Sequence, residues 1–147
     1  LLRSAFLELK RPAASPCPHN RACPFPGGKK RWCHFAFETD GAPKELHRLS
    51  AAAGIPKERL VFSYLHTGPV TANASKTESE KVRIVSDVFP LPYGRFGRYG
   101  CSERGLVLLS GKKNQIEKTV SGALVVPSFA AGGQRDKKSG ALLAEVK

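Results

Sequence analysis

The chain has 147 residues, a length that fits one ordinary domain but is short for an enzyme that must also enclose a large cofactor. No stretch approaches the roughly 18 apolar residues a membrane span needs, and the opening LLRSAFLELKR lacks a secretory apolar run, so a soluble, intracellular chain is expected with no membrane partner. Against 12 Asp and Glu stand 24 Lys and Arg, a formal charge of +12 spread over Arg3 to Lys30, Arg95 to Arg104 and Lys112 to Lys118, which points to a polyanionic partner such as RNA or the ribosome.

Leu1 to Leu9 has roughly helical apolar spacing and stops before Pro12. With no Met anywhere, position 1 included, it reads as the last helix of a longer chain that begins upstream. Pro12 to Arg31 holds five prolines, Gly27, Gly28 and two cysteines, a composition that resists regular structure and needs a staple. Pro43 to Ala53 predicts a short helix with Gly54 as its C-terminal cap, and Leu60 to Leu65 a strand covered on both faces. Thr67 to Glu80 is a polar loop, and Lys81 to Phe89 alternates as a half-buried strand does. Gly105 to Leu109, Gly122 to Val126 and Ala141 to Val146 complete a second half that reads as all β.

Cys17, Cys23, Cys33 and Cys101 carry the chemistry. The first three are separated by six and ten residues and the fourth follows 68 later. Four soft thiolates are the right donor set for zinc or an iron-sulfur cluster. Structural zinc prefers ligand pairs about two to four residues apart, so the wider spacing favours a cluster. Prolines after Cys17 and Cys23 and Gly100 before Cys101 set the thiols on tightly turning backbone. His19 and His34 could replace a cysteine in a zinc site, but hydrogen bonds to sulfur or loop carbonyls are the stronger expectation; Trp32 and Phe35 would shield the centre. The sequence has no GxGxxG, Walker loop, GxSxG or HExxH, and Glu38, Asp40, Asp87 and Glu103 show no pairing that implies catalysis. Arg95, Arg98, Arg104, Lys112 and Lys113 are candidate RNA contacts, the first two interleaved with Phe96 and Tyr99; the bland alternative turns both rings inward and leaves both arginines solvated.

The strings Cys17-Pro18-His19 through Cys23-Pro24, Trp32-Cys33-His34-Phe35 and Phe62-Ser63-Tyr64-Leu65, with a late single cysteine, resemble the ribosomal small-subunit methyltransferase-like family of bacteria and mitochondria over about Leu1 to Leu109. The resemblance implies an α/β chain: residues 1–80 as the C-terminal remnant of a Rossmann-like methyltransferase domain with a cysteine-rich cluster loop at 15–35, and residues 81–147 as a small, mostly antiparallel β domain supplying the fourth cysteine. It further implies a 4Fe-4S cluster on Cys17, Cys23, Cys33 and Cys101, binding to small-subunit rRNA, and a bacterial cytoplasmic or mitochondrial matrix location. S-adenosylmethionine would be held only by a longer parent chain, because the Gly-rich loop and its acidic partner are absent here. The cluster is expected to be structural, with a redox or iron-sensing role as an alternative. A zinc-stabilised, non-enzymatic RNA-binding or ribosome-assembly module is the competing reading, and a truncated gene fragment the third.

Overall fold

The structure is a computed structural model and describes residues 2–25, 33–56, 58–68 and 80–146. Helix α1 (Leu2–Glu8) forms where the apolar spacing predicts it. It ends in a left-handed turn at Lys10, φ 56°, with the Arg11 N–H donating to Phe6 O at 2.8 Å and the Lys10 N–H to Leu7 O at 3.0 Å. Those two bonds make a Schellman cap, with Lys where glycine is usual.

The first half is a set of small antiparallel pieces. Strand β1 (Ala13–Ser15) pairs with β4 (His66–Thr67), and β2 (Phe35–Glu38) with β3 (Arg59–Phe62), Phe35 opposite Phe62. Helix α2 (Lys44–Ala52) bridges β2 and β3 and ends as the sequence suggests: Gly54, φ 68°, caps it, and the Ile55 N–H returns to Ser50 O at 3.0 Å. Two expectations need correction. The strand expected over Leu60 to Leu65 stops at Phe62, and all four residues of β3 are exposed, because β2–β3 is a lone pair of strands that lacks a second covering layer among the described residues. Nor do β1–β4 show parallel pairing, so their arrangement carries no sign of a Rossmann-like layer, which needs parallel neighbours. Most of the polar loop expected over 67–80 lies outside the described residues, as do Gly27, Gly28 and Trp32.

A seven-stranded sheet dominates the second half. It contains β5 (Val82–Ile84), β6 (Phe89–Pro90), β7 (Phe96–Ser102), β8 (Gly105–Gly111), β9 (Leu124–Val125), β10 (Ser128–Phe129) and β11 (Leu142–Glu145), in the order β10-β11-β8-β7-β5-β9 with β6 beside β7. All pairings are antiparallel except β11 with β8. The strand expected from Lys81 to Phe89 is broken: the Ser86 hydroxyl accepts the Tyr99 N–H at 2.7 Å and donates to Asp87 O at 2.8 Å, a side-chain bond that replaces the ladder there. The reading of this half as all β also misses a short helix, α3 (Lys113–Glu117), which buries Ile116.

Strand alternation gives this sheet two distinct faces. Val82, Ile84, Val107, Leu109, Leu142 and Ala144 form a closed apolar core on one. The opposite face carries Arg83, Tyr99, Cys101, Leu106, Leu108 and Leu143, as their pairings require. Phe96 and Tyr99, three apart in β7, therefore lie on opposite faces, with Tyr99 packed against the cluster of Leu106, Leu108 and Ala141. Gly100 is needed for close approach, since a Cβ there would overlap Val82 Cγ1.

Candidate metal centre

Cys101 sits within β7 on the second face, 7% exposed. Cys33, just before β2, packs with Phe25 against the cluster of Phe35, Val85 and Cys101. Cys17 and Cys23 are half-buried in the irregular stretch after β1. That stretch is tied to the sheet by Arg83, whose Nε donates to Pro16 O at 2.9 Å while Nη1 donates to Gly122 O at 2.7 Å. The Ser63 hydroxyl donates to Cys33 O, bringing the segment after β3 against the same region.

The thiols are within electrostatic reach of one another. Burial pushes the Cys33 thiol up to about 12, with Cys17 and Cys23 adding in the same direction and Arg83 opposing. Burial likewise pushes Cys101 up to about 12, reinforced by Cys17, Cys33 and Cys23 and opposed by Arg3. Cys33 and Cys101 therefore hold their protons unless positive charge is brought to them. Among the described residues, no three His, Cys, Asp or Glu side chains stand close enough to hold a single metal ion.

Two further features meet here. Arg3, on α1, donates from Nη2 to His19 O at 2.8 Å, while its buried Nε and Nη1 have no partner. Unsatisfied buried cationic N–H groups are costly, and beside thiols they suit an anionic group. His19 is buried, with Nε2 3.2 Å from Cys101 Sγ and Nδ1 3.2 Å from the Arg21 N–H. Desolvation, then the charge of Arg3, pushes its pKa below the ordinary value. His34 instead faces Asp87, Nε2 to Oδ2 3.7 Å, and Arg59 joins Asp87 to Glu38 in the same network. The donor set, the cationic neighbours and the apolar wall of Phe25, Phe35 and Val85 fit a thiolate-bound iron-sulfur cluster.

The five candidate RNA contacts do not share one environment. Arg95 pairs with Glu145 at 2.6 Å and donates to Ser110 Oγ at 3.0 Å. Arg98 is half-buried and donates to Ser86 O at 3.1 Å; burial pushes its pKa down. Arg104 is exposed and stacks on Phe129 at 4.4 Å, and Lys113 lies 5.8 Å from the Phe96 ring and 3.8 Å from Glu117. Lys112 is exposed at the start of α3. Sequence reasoning missed Arg3 and Arg83, because neither position carries a motif and only the tertiary arrangement brings them to the cysteines.

The family model described as mitochondrial small ribosomal subunit Rsm22 matches residues 1–89, and the chain belongs to that family. The match includes Cys17, Cys23 and Cys33 and ends before Cys101. No curated protein and no solved structure matches the chain.

Proposed function

We propose that this chain is an rRNA-binding part of a mitochondrial small-ribosomal-subunit protein, active in ribosome assembly or translation, in which Cys17, Cys23, Cys33 and Cys101 hold a structural 4Fe-4S cluster. The observation that carries this reading is Cys33 packed against the apolar cluster that holds Cys101, with Cys17 and Cys23 within electrostatic reach of both and two buried N–H groups of Arg3 unpartnered. A cluster spreads four thiolates around a core larger than one ion. When bound, the cluster supplies a cross-link between the proline-rich stretch and the sheet, and it offsets the charge of Arg3 and Arg83. The family description favours the mitochondrial matrix over the bacterial cytoplasm. Kinship with S-adenosylmethionine-dependent methyltransferases, and any methyl transfer, would belong to a longer parent chain, since this sequence has no Gly-rich nucleotide loop.

Metal and sulfide analysis with an absorption spectrum, on protein purified without oxygen, tests the proposal. About four irons and four sulfides per chain with broad visible absorption are expected. One zinc and no sulfide would replace the cluster with a zinc-stapled RNA-binding module.

A further inference from the structure

His19 lies two residues after Cys17, yet its ring crosses to the far end of the sequence and meets Cys101, with Nε2 3.2 Å from Sγ. The other ring nitrogen fixes which partner donates. The backbone N–H of Arg21 points at Nδ1 from 3.2 Å, and a nitrogen that accepts a hydrogen bond carries no hydrogen. The ring is therefore the neutral tautomer with its hydrogen on Nε2, and that hydrogen is directed at sulfur. A Cys101 S–H could not donate in return, because Nε2 has no free lone pair in this tautomer. The Arg3 guanidinium holds the His19 carbonyl at 2.8 Å, so the residue is fixed at both backbone and ring.

We propose that His19 is a positioning residue for the metal centre, donating an Nε2–H hydrogen bond to the Cys101 thiolate and so raising the reduction potential of the group that this thiolate binds. The inference rests on the cluster reading above. A hydrogen bond to a ligand sulfur draws electron density from it and makes an added electron easier to accept, which is one of the protein's main controls on such potentials. The same geometry removes His19 from the set of ligands. For Nε2 to coordinate, its hydrogen would have to move to Nδ1, where it would collide with the Arg21 N–H. His34 is engaged elsewhere, towards Asp87, and does not duplicate the role.

The test uses the chain purified without oxygen, as wild type, His19→Phe and His19→Gln. Dithionite supplies the electron, one per cluster with no bond broken, and the midpoint is read from the electron paramagnetic resonance signal of the reduced form. His19→Phe is expected to keep its iron and shift the midpoint to a more negative potential. Gln, which can still donate an N–H, is expected to lie between Phe and wild type. Equal midpoints in all three proteins, each fully loaded with iron, would overturn the inference while leaving the cluster intact. Should His19→Phe lose its iron, the wild type decides: nitrogen-15 chemical shifts of the His19 ring are expected to report the Nε2–H tautomer, and an Nδ1–H tautomer or an imidazolium would overturn the proposal. A wild-type chain without iron and sulfide would instead remove the cluster reading itself.

Discussion

At the residue scale, the centre is a contest between burial and charge. Cys33 and Cys101, both pushed up to about 12, are thiols that resist ionising alone, so whatever they bind must bring positive charge to them. Cys101→Ala separates this role from packing. Its small apolar replacement is expected to leave the metal-free chain within about 1 kcal/mol of wild type, while the loaded chain loses its iron and the added stability that comes with it. Urea unfolding of loaded and metal-free protein, with iron counted in each, reads the difference, and full iron retention in the variant would remove Cys101 from the ligand set. Arg3 acts on the same site from outside. Arg3→Leu takes away the cation whose Nε and Nη1 lack partners, and a roughly 10- to 100-fold weaker hold on the cluster is expected, read as faster iron release to a chelator. The cysteines were proposed as a set from their number and spacing, and the structure packs Cys33 against the cluster that holds Cys101. Arg3 and Arg83 were not, because a lone arginine in a leucine-rich stretch or a β strand looks the same whether it faces water or sulfur.

Elements were legible where local signals act alone and obscure where tertiary contacts decide. Helices α1 and α2 follow from apolar spacing and capping residues, down to the turn at Gly54. Strand β8 runs two residues beyond its expected end, through Ser110 to Gly111, because both neighbours in the sheet continue to pair with it. The break between β5 and β6 depends on the Ser86 hydroxyl reaching across to β7, which no local pattern announces. Strand β7 was ambiguous for a related reason: its glycines weaken strand propensity, yet Gly100 is what allows β5 to lie close. Gly100→Ala tests this. A Cβ would overlap Val82 Cγ1 and press on Arg83 O at 3.3 Å, and Val82 is fully buried and stiff at χ1, so it cannot turn away easily. Destabilisation by about 1 to 3 kcal/mol is expected in chemical denaturation. Gly100 also precedes Cys101, and the strand shift is expected to lower iron retention together with stability.

For the molecule as a whole, the sheet keeps its two tasks on different faces. One face packs an aliphatic core; the other carries Cys101 and Arg83, with Cys33 packed nearby, so the proposed staple at Cys101 would lie away from the main core. The net charge of +12 was read from the sequence as an RNA signal, but the sequence could not say which cations remain available to phosphates. The structure divides them. Arg98 is half-buried with its guanidinium on Ser86 O, and the exposed Arg95 is held by Glu145 at 2.6 Å, whereas Arg104 and Lys112 are exposed and Lys113 is exposed with a longer, 3.8 Å contact to Glu117. Binding of a small-subunit rRNA fragment, followed by fluorescence anisotropy over a range of potassium chloride concentrations, should therefore weaken steeply with salt. Replacing Arg104, Lys112 and Lys113 together by Ala is expected to lower affinity across sequences and to reduce the salt slope by about one for each phosphate that is no longer neutralised. Arg98→Ala is expected to do the reverse: it removes the donor to Ser86 O and lowers stability, while the slope for the folded fraction stays as in wild type. A triple variant with an unchanged slope would move the RNA surface elsewhere on the chain, and a slope that collapses with Arg98→Ala alone would make the half-buried arginine a phosphate ligand after all.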